Sequence, residues 1–471
     1  MSVNEKVEEH DHFRDKLTTV TNDGKRVWVY AKKVKGRYFN RRKIVALFLL
    51  LLFYAGPFIK IGNEPIMLFD VLQRKFVIFG VVFWPQDFHL ILMATITTIV
   101  FVVLFTVVFG RIFCGWICPQ TIFMEFVFRQ IEYLIEGTAA AQRRLNNQAL
   151  NFEKLWKKSL KHLVFFIIAI ITSTTFLAYM IGIDSIISFL KEGPIDNLSG
   201  YLGLLIFSGV FYFVFAFFRE QVCTIACPYG RLQGVLVDKK SIIVGYDYKR
   251  GEPRGPINKK GDIETGDCID CKACVVVCPT GIDIRNGTQL ECINCTACID
   301  ACDAVMDRVK KPRGLIRYDS ELGIETGQHS IFNTRSIAYS IVLVLLMFFV
   351  GYLFMLRGDF ESTILRARGS LFQNYGTDSL SNIYNYNLVN KSTETLKIDY
   401  ILESHNGRIQ HIQENVPVEV GEVGKGTFLV IISKDQLLSS NTPVVFGLYK
   451  DGTLVDTYTS SFVGPSALDR K

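Results

Sequence analysis

The chain has 471 residues, of which 49% are hydrophobic and only 21% are charged, and its net charge is +7. This length is enough for two or three domains, and this composition argues against a wholly soluble protein. All twelve cysteines fall within C-x2-C or C-x3-C spacings, so none is left for an ordinary core position. Cysteine is therefore expected to serve metal or redox chemistry.

Five apolar runs predict about five membrane spans. They lie at Ile44–Ile59, Phe88–Phe109, Leu163–Ile183, Tyr201–Phe218 and Ser336–Leu356. The first run is short, and the residues after it are expected to complete the crossing. Buried helices of a large soluble protein are the alternative, which five separate uncharged runs disfavour. The polar segment in front of the first run is not typical of a signal peptide.

Basic residues are concentrated in three of the segments that flank these runs. One segment precedes the first run and ends in Arg41, Arg42 and Lys43; the others separate runs two and three, and runs four and five. Because loops rich in Lys and Arg stay in the cytoplasm, we expect these three segments inside and the C-terminus outside. The chain is thus predicted to be a multi-pass protein of the bacterial cytoplasmic (inner) membrane with a periplasmic C-terminal domain.

A C-x3-C-P pattern occurs at the basic ends of both the second and the fourth run, as Cys114 with Cys118 and as Cys223 with Cys227. This indicates an internal repeat, in which spans one and two match spans three and four. Proline is accepted at the first position of a helix but not inside it, so each pair is predicted to lie at a break between helices. Together the pairs would offer four thiolates, which suit Cu(I) or alternate between dithiol and disulfide. Four buried, inert cysteines are the remaining alternative.

Two successive C-x2-C-x2-C-x3-C runs occupy Cys268–Cys302. This is the spacing of a bacterial ferredoxin with two [4Fe–4S] clusters, in which the fourth cysteine of each run ligates the other cluster. The predicted ligands are Cys268, Cys271, Cys274 and Cys302 for the first cluster, and Cys292, Cys295, Cys298 and Cys278 for the second. Two zinc ions are the alternative, but the doubled run with a proline directly after its first half is more typical of iron–sulfur proteins. A disulfide framework is disfavoured in a segment predicted to be cytoplasmic.

The C-terminal part alternates apolar and polar residues in about seven short runs, and Tyr449–Thr453 contains an Asp-Gly pair typical of a hairpin turn. These features predict an immunoglobulin-like β-sandwich of about 100 residues, which is either a binding or assembly module or a stabilising domain. The predicted domains are 1–43, an N-terminal cytoplasmic segment; 44–240, a four-span membrane domain; 241–330, an inserted cytoplasmic dicluster ferredoxin-like α+β domain; 331–357, a fifth transmembrane helix; and 358–471, the extracytoplasmic sandwich.

This order of parts resembles the cytochrome c oxidase accessory proteins of the CcoG (FixG, RdxA) type, and the resemblance covers nearly the whole chain. It rests on both C-x3-C-P motifs, on the doubled cluster motif, and on Gly24–Arg26, Gly36–Arg37, Phe83–Phe88 and Gly314–Tyr318. The resemblance implies a membrane iron–sulfur protein that assists the assembly of cbb-type oxidases, with oxidase subunits or copper-delivery proteins as partners.

The resemblance also implies cupric reductase activity, in which Cu(II) is reduced to Cu(I). The implied copper or thiol site consists of Cys114, Cys118, Cys223 and Cys227. Two other functions remain open: a quinol-linked membrane ferredoxin that conducts electrons to a respiratory reductase, and a scaffold for oxidase subunits that performs no catalysis. No flavin, nicotinamide, Rossmann, Walker or C-x-x-C-H pattern is evident, so we expect electrons to come from a soluble partner or the quinone pool. Membrane lipid is an expected partner, and nucleic acid is not.

Overall fold

The structure is a computed structural model. It describes residues 18–465 apart from 22, 62–63, 73, 257–264, 328–333, 368, 370, 393, 413–415 and 438. The beginning of the predicted N-terminal segment and the last residues of the predicted sandwich therefore lie outside the described residues. The chain divides into two compact units. The first comprises Met1–Lys60, Pro65–Arg74 and His89–Val350, and the second comprises Ile61–Glu64, Lys75–Phe88 and Gly351–Lys471.

The described α-helices follow the apolar runs and the segments between them. In chain order they are α1 (Arg37–Ala55), α2 (Phe88–Phe109), α3 (Ile112–Trp116), α4 (Pro119–Ile122), α5 (Arg129–Ile135), α6 (Ala139–Asn147), α7 (Phe152–Ile181), α8 (Ile183–Asp196), α9 (Leu198–Phe213), α10 (Pro228–Leu236), α11 (Tyr248–Gly251), α12 (Ala273–Val276), α13 (Ala297–Arg308), α14 (Glu321–Thr326) and α15 (Thr334–Met355). Three π-helical segments occupy Phe123–Phe128, Val214–Phe218 and Val222–Ala226.

In the part of the chain that the structure describes, four helices are long and apolar enough to cross a membrane: α2, α7, α15, and α9 with its π-helical extension. They coincide with the second to fifth predicted spans. Helix α7 begins earlier than predicted, because three lysine-rich turns precede its apolar part. The first predicted span lies in α1, whose first two turns are basic; within the described residues it is not among the helices that meet the same criterion. Its crossing therefore stays a prediction.

The basic ends of α7 and of the extended α9 pack, together with the π-helical segment Phe123–Phe128, around a cluster of aromatic side chains. Phe128 stacks on Phe215 with ring centroids 4.7 Å apart, and Phe165 meets Phe128 edge-on at 4.8 Å. Phe128 and Phe165 are fully buried. Such contacts combine a large buried apolar area with a preferred ring geometry, so they fix the membrane helices next to the two C-x3-C-P motifs.

The cluster segment begins and ends in one strand pair. Strand β6 (Ile243–Tyr246) pairs antiparallel with β7 (Ile316–Asp319), with Ile243 opposite Asp319 and Tyr246 opposite Ile316. Helices α12 and α13 lie between these strands in the sequence, and each follows the second cysteine of its run. The N-terminal segment also contacts this part, because the Lys32 N–H donates to the Val276 carbonyl oxygen at 2.9 Å.

The C-terminal part is a two-sheet β-sandwich. Its strands are β8 (Phe360–Arg366), β9 (Gln373–Tyr375), β10 (Ser379–Asn390), β11 (Asp399–Leu402), β12 (Gly407–His411), β13 (Val423–Ser433), β14 (Asn441–Lys450) and β15 (Thr453–Val463). One sheet has the order β12-β13-β10-β8, with β9 added to β10, and the other has the order β11-β14-β15. The core between the sheets contains the fully buried rings of Tyr384, Phe428 and Phe446.

The predicted hairpin turn joins β14 to β15. Asp451 and Gly452 have φ angles of 49° and 79°, and Lys450 pairs with Thr453 across the turn. A two-residue turn with two positive φ angles matches the twist of the strands that it joins. The Asp-Gly pair therefore sets the register next to the turn, and an irregularity between Leu448 and Tyr449 shifts the register along the rest of the hairpin.

The segment between α1 and α2 contains strands that the sequence did not suggest. They are β1 (Lys60–Ile61), β2 (Glu64–Pro65), β3 (Met67–Asp70), β4 (Lys75–Ile78) and β5 (Val81–Phe83). Within the second unit, β4 pairs with β5 and places Phe76 opposite Phe83. Strands of two to four residues are too short to show the alternation by which strands are recognised.

The residues after β5 form a buried charge network in the second unit. A 3₁₀ turn at Pro85–Asp87 follows, and Asp87 is 2% exposed. Its carboxylate accepts hydrogen bonds from Lys391 Nζ at 2.7 Å and from Arg357 Nη2 at 3.0 Å. The stretch Phe83–Phe88 is thus tied through Asp87 to Lys391, which directly follows β10.

Candidate functional site

The first predicted set of cluster ligands comes together in the structure. Cys268, Cys271, Cys274 and Cys302 line a cavity of about 340 Å³. Cys268 and Cys271 come from the loop that leads into α12, Cys274 lies in α12 itself, and Cys302 comes from the middle of α13. The rest of the wall is largely apolar and includes Tyr246 from β6.

The second predicted set lines a separate cavity of the same size. Its cysteines are Cys278, Cys292, Cys295 and Cys298, and Cys274 of the first set also borders it. The fourth member of each set thus comes from the other run, as the crossed spacing pattern predicts. The shared border places the two cavities next to each other.

The two runs have the same backbone conformation. Asp270 and Lys272 flank the second cysteine of the first run with φ angles of 48° and 55°, and Asn294 and Thr296 flank the second cysteine of the other run with 51° and 63°. Alternation of left- and right-handed residues turns successive N–H groups to one side, which forms the concave backbone sites found around iron–sulfur clusters. A left-handed backbone conformation costs a residue other than glycine about 1–2 kcal/mol. Its occurrence at equivalent positions of both runs therefore indicates that the two runs have the same function.

The chemistry of these cysteines fits a cluster better than a single ion. Among the described residues, no three Cys, His, Asp or Glu side chains lie close enough together to hold one metal ion. This disfavours the zinc alternative, in which four sulfurs would converge on one point. Burial raises the pKa of both Cys274 and Cys302 to about 12, so these thiols keep their protons until metal binding displaces them. Cys271 is the one exposed member of the two sets.

Each C-x3-C-P motif forms a break between helices, as predicted. Cys114 lies in α3, and the chain then leaves the helix at Cys118 (ψ 124°) before α4 begins at the next residue. Cys223 lies in a π-helical segment, and Cys227 (ψ 113°) directly precedes α10. In both motifs the second cysteine therefore precedes the first turn of a helix that starts with proline.

The break places backbone donors next to the second cysteine of the first motif. Burial raises the pKa of the Cys118 thiol, while the N–H groups of Thr121 and Gln120 lower it by hydrogen bonding to the sulfur. These are the free N–H groups of the first turn of α4, which favour negative charge at this position. These two N–H groups therefore stabilise a thiolate at Cys118, a stabilisation that a cysteine inside a helix would lack because the N–H groups there are already bonded.

The four thiols of the two motifs are neighbours. Burial, together with the nearby thiols of Cys118, Cys114 and Cys227, raises the pKa of Cys223 to about 12. Burial likewise raises the pKa of Cys114 to about 11. All four are free thiols and half-buried. They do not converge at the spacing of a single-ion site, so binding one ion would require their side chains to turn toward one another.

The side chain of Gln233 holds one of these thiols. Gln233 is fully buried in α10, and its Nε2 donates to Cys114 Sγ at 3.3 Å while its Oε1 lies 3.4 Å from the same sulfur. This contact joins the first motif to the helix that follows the second. Nothing in the sequence marks this glutamine, because the contact is between residues far apart in the chain.

The thiols adjoin the second cluster cavity. Cys114 packs against the group of buried side chains that contains Ile293 and Cys295. A Cβ added to Gly115 would lie 2.5 Å from the Ile293 carbonyl oxygen, so the two backbones touch there.

Arg111 spans the same boundary. Its Nη1 donates to the Leu290 carbonyl oxygen and its Nη2 to that of Gly230 at 3.1 Å. The sequence indicates Arg111 only as a basic residue at the end of a span. Its planar fork of donors explains why arginine suits this position, since one side chain can bind two carbonyl groups at once.

Three family models match the chain. A 4Fe-4S dicluster domain matches residues 218–321, a 4Fe-4S binding domain matches residues 91–137, and the IG-like fold at the C-terminal of FixG matches residues 350–465. Together with the four apolar helices, these matches confirm the predicted class: a membrane protein with an inserted ferredoxin-like domain and an immunoglobulin-like C-terminal domain. They also confirm two [4Fe–4S] clusters as its cofactors.

Similar proteins cover most of the chain. Protein RdxA of Cereibacter sphaeroides is 31% identical over 85% of this chain and 88% of its own length, and protein RdxB of the same organism is 32% identical over 79% and 80%. The nitrogen fixation protein FixG of Rhizobium meliloti is 34% identical over 62% and 57%. A crystal structure of a FixG-related protein from Vibrio parahaemolyticus aligns with 23% of this chain and 97% of its own, at 21% identity and a TM-score of 0.20.

Proposed function

Because the chain belongs to the FixG/RdxA family of membrane iron–sulfur proteins, we propose that it reduces Cu(II) to Cu(I) for the assembly of a cbb-type cytochrome c oxidase. The observation that carries this proposal is the packing of Cys114 against the buried group that contains Ile293 and Cys295. This contact supports a thiol site beside the residues assigned to the second cluster.

The assignment of the cluster ligands supports one direction of electron transfer, from the first cluster site through the second to the thiols. When bound, the two clusters supply electrons one at a time, and reduction of Cu(II) to Cu(I) consumes one. Cys271 of the first set is exposed, whereas no cysteine of the second set is exposed, so in this proposal the first set faces the electron donor and the second set faces the thiols. Cys274 of the first set and Cys298 of the second border the same cavity, so the distance between the two cluster sites is short.

The four thiols bind the substrate ion in this proposal. Thiolates are soft ligands and favour Cu(I) over Cu(II), so Cys114, Cys118, Cys223 and Cys227 stabilise the product. Binding requires loss of thiol protons, and the N–H groups at the start of α4 assist that loss at Cys118. Gln233 orients Cys114, and Arg111 holds the two helix breaks against the cluster segment.

Copper reduction by the purified protein tests this function. The chemically reduced protein is mixed with Cu(II) and a Cu(I)-specific chelator, and we expect the Cu(I) chelate to form. Replacing all four thiol-site cysteines by serine should abolish chelate formation while the iron content and cluster absorbance remain. Ile225→Ser is a matched control, because Ile225 lies between two of these cysteines and its side chain is 42% exposed; it should reduce copper at the normal rate.

The outcomes separate the competing functions. An unchanged rate in the four-serine variant would show that copper is reduced elsewhere. Rapid cluster reduction by a quinol, with no reaction with copper, would favour the electron conduit. Absence of both reactions in a protein with full iron content would favour the scaffold. The alternatives thus remain distinct in one set of measurements.

A further inference from the structure

A large polar cavity lies apart from the cluster and thiol sites, where α5 and α6 meet the first turns of α7. It encloses about 1020 Å³, including its open mouth. It is lined by Trp28, Val29, Tyr30, Glu132, Glu136, Gln142, Asn146, Asn147, Lys154, Lys158, Lys161, His162, Ala216, Phe217 and Arg219. Four of these side chains are lysine or arginine and two are glutamate, so the wall carries an excess of two positive charges.

The two carboxylates in the wall are already neutralised. Arg219 binds Glu132 through two hydrogen bonds of 2.6 and 3.0 Å, and both Lys158 and Lys161 lie 2.9 Å from a Glu136 oxygen. Both carboxylates are buried. Their negative charge is therefore compensated by the lysine and arginine side chains of the wall, so it does not repel an anion at the mouth of the cavity.

Lys154 carries the charge that has no acidic partner. Its Nζ donates to the carbonyl oxygens of Asn146 and Gln148 at 2.9 and 2.7 Å, and no carboxylate in the described part of the chain forms an ion pair with it. Carbonyl oxygens satisfy hydrogen bonds but leave the positive charge in place. Lys154 and Lys158 are both half-buried, so they can contact a ligand from the mouth.

The position of three cavity-lining lysines along α7 indicates how deep the cavity lies in the membrane. The three lysines lie in the turns just before the apolar part of the helix. The same turns expose Phe152, Leu155 and Trp156, which are 82%, 60% and 60% exposed. Apolar and aromatic side chains that are exposed beside basic residues at the end of a span belong at the boundary between headgroups and acyl chains. Lipid phosphates lie at this level.

We propose that this cavity binds the phosphate group of an anionic phospholipid. Lysine ammonium groups donate strong, charge-assisted hydrogen bonds to phosphate oxygens, and basic pockets between transmembrane helices are typical sites for anionic headgroups. Phe152, Leu155 and Trp156 lie in the same turns of α7 but do not line the cavity, so they indicate its level in the membrane and not the path of the acyl chains. Free phosphate shares the headgroup's chemistry but has no acyl chains to insert into the bilayer.

Lipid retention by the full-length protein tests this site. Protein in detergent is mixed with equal amounts of phosphatidylglycerol and phosphatidylcholine, and bound lipid is counted by native mass spectrometry. We expect the anionic lipid to be retained preferentially. The double change Lys154→Gln and Lys158→Gln should weaken its binding about thirtyfold, given the contribution of each basic residue near an anionic lipid. Lys154→Arg with Lys158→Arg should retain binding, which shows that charge and not folding is responsible.

Lys157→Gln is the matched control. Lys157 lies in the same turns and pairs with Glu153 at 2.6 Å, but it does not line the cavity, so its loss should leave lipid binding unchanged. Equal retention of both lipids, or equal loss in the Lys157 variant, would overturn the proposal. So would protection against thermal unfolding by inorganic phosphate that matches protection by phosphatidylglycerol, because the lipid would then have no special role.

Discussion

The carboxylate of Asp300 accepts a hydrogen bond of 2.7 Å from the backbone N–H of Phe39. The same carboxylate accepts a second bond of 3.1 Å from the N–H of Tyr38. Asp300 lies in α13 between two cluster cysteines, whereas Tyr38 and Phe39 form the first turn of α1. A negative charge at the first turn of a helix satisfies its free N–H groups and its dipole. This contact therefore fastens the cluster segment to the start of α1.

Asp300→Asn should weaken this attachment. The amide keeps the shape of the side chain but loses the charge and one acceptor, so we expect a cost of about 1–3 kcal/mol in the free energy of unfolding. Loss of the clusters on mild heating, followed by their visible absorbance, measures it. Asp307→Asn on the same helix is the control, because Asp307 pairs with Arg313 at the surface and should change nothing measurable. Equal cluster loss in both variants would contradict the proposed role.

Gly36→Ala should damage the same attachment from the other side. A Cβ at Gly36 would lie 2.2 Å from the Asp300 Cγ atom, which is far inside the contact distance of two carbon atoms. We expect lower expression and a reduced midpoint of cluster loss. Gly209→Ala, in a helix where a Cβ would meet nothing within 4 Å, provides the comparison and should fold normally. A Gly36 variant with normal thermal stability would show that the junction adapts.

Cys278→Ser should remove the second cluster and spare the first. We assign Cys278 to the cavity of Cys292, Cys295 and Cys298 although it belongs to the first run in sequence. About half of the iron should therefore be lost, since each cluster holds four iron atoms. The remaining electron paramagnetic resonance signal of the reduced protein should match that of Cys295→Ser. A spectrum like that of Cys271→Ser would instead mean that each run serves its own cluster.

Asp87→Asn should destabilise the second unit by about 1–3 kcal/mol, because it leaves two buried cations underpaired. Glu361→Gln is the matched control: Glu361 contacts the same Lys391 Nζ at 2.8 Å, but its side chain is 39% exposed whereas that of Asp87 is 3% exposed. Calorimetric unfolding of the full-length protein should show the larger loss for Asp87. Equal losses of stability in the two variants would mean that the stabilisation comes from any carboxylate that contacts Lys391, and not from the burial of Asp87.

The Asp87 effect should depend on pH in one direction. Burial pushes the pKa of Asp87 upward, but the hydrogen bond from Lys391 and the charges of Arg357 and Lys391 outweigh it, so the pKa lies below its usual range. A carboxyl with a lowered folded-state pKa stabilises the fold above its unfolded-state pKa and loses that contribution as pH falls through the folded value. The difference between wild type and Asp87→Asn should be constant near neutral pH and shrink below about pH 4. A difference that grows on acidification would contradict this assignment.

The sequence predicts those features that depend on local pattern. Long apolar runs locate α2, α9 and α15 within a few residues, because a span must supply about 20 apolar residues in succession. Fixed spacings locate both cysteine sets, and one Asp-Gly pair locates the turn between β14 and β15. Each of these signals lies within a few neighbouring positions.

Contacts between distant residues could not be predicted in the same way. The bond between Gln233 and Cys114 joins residues 119 positions apart, and that between Phe39 and Asp300 joins residues 261 positions apart. Gly36 is recognisable as a glycine, but only the structure shows that Asp300 fills the space where its side chain would be. The short strands β4 and β5 escape sequence-based prediction for a related reason, since their stability comes from pairing with each other and not from their own sequence.

The pairing of β6 with β7 has a consequence for how this protein can be altered. Ile243 lies opposite Asp319, and Tyr246 opposite Ile316, so the chain enters and leaves the cluster segment at the same place. A segment with adjacent ends can be exchanged for another without moving the helices on either side. The ends of the iron–sulfur segment are therefore adjacent. Chimaeras joined at these two strands could carry clusters of different reduction potential on the same membrane helices, provided that they keep the contacts of Asp300 with α1 and of Ile293 with Gly115.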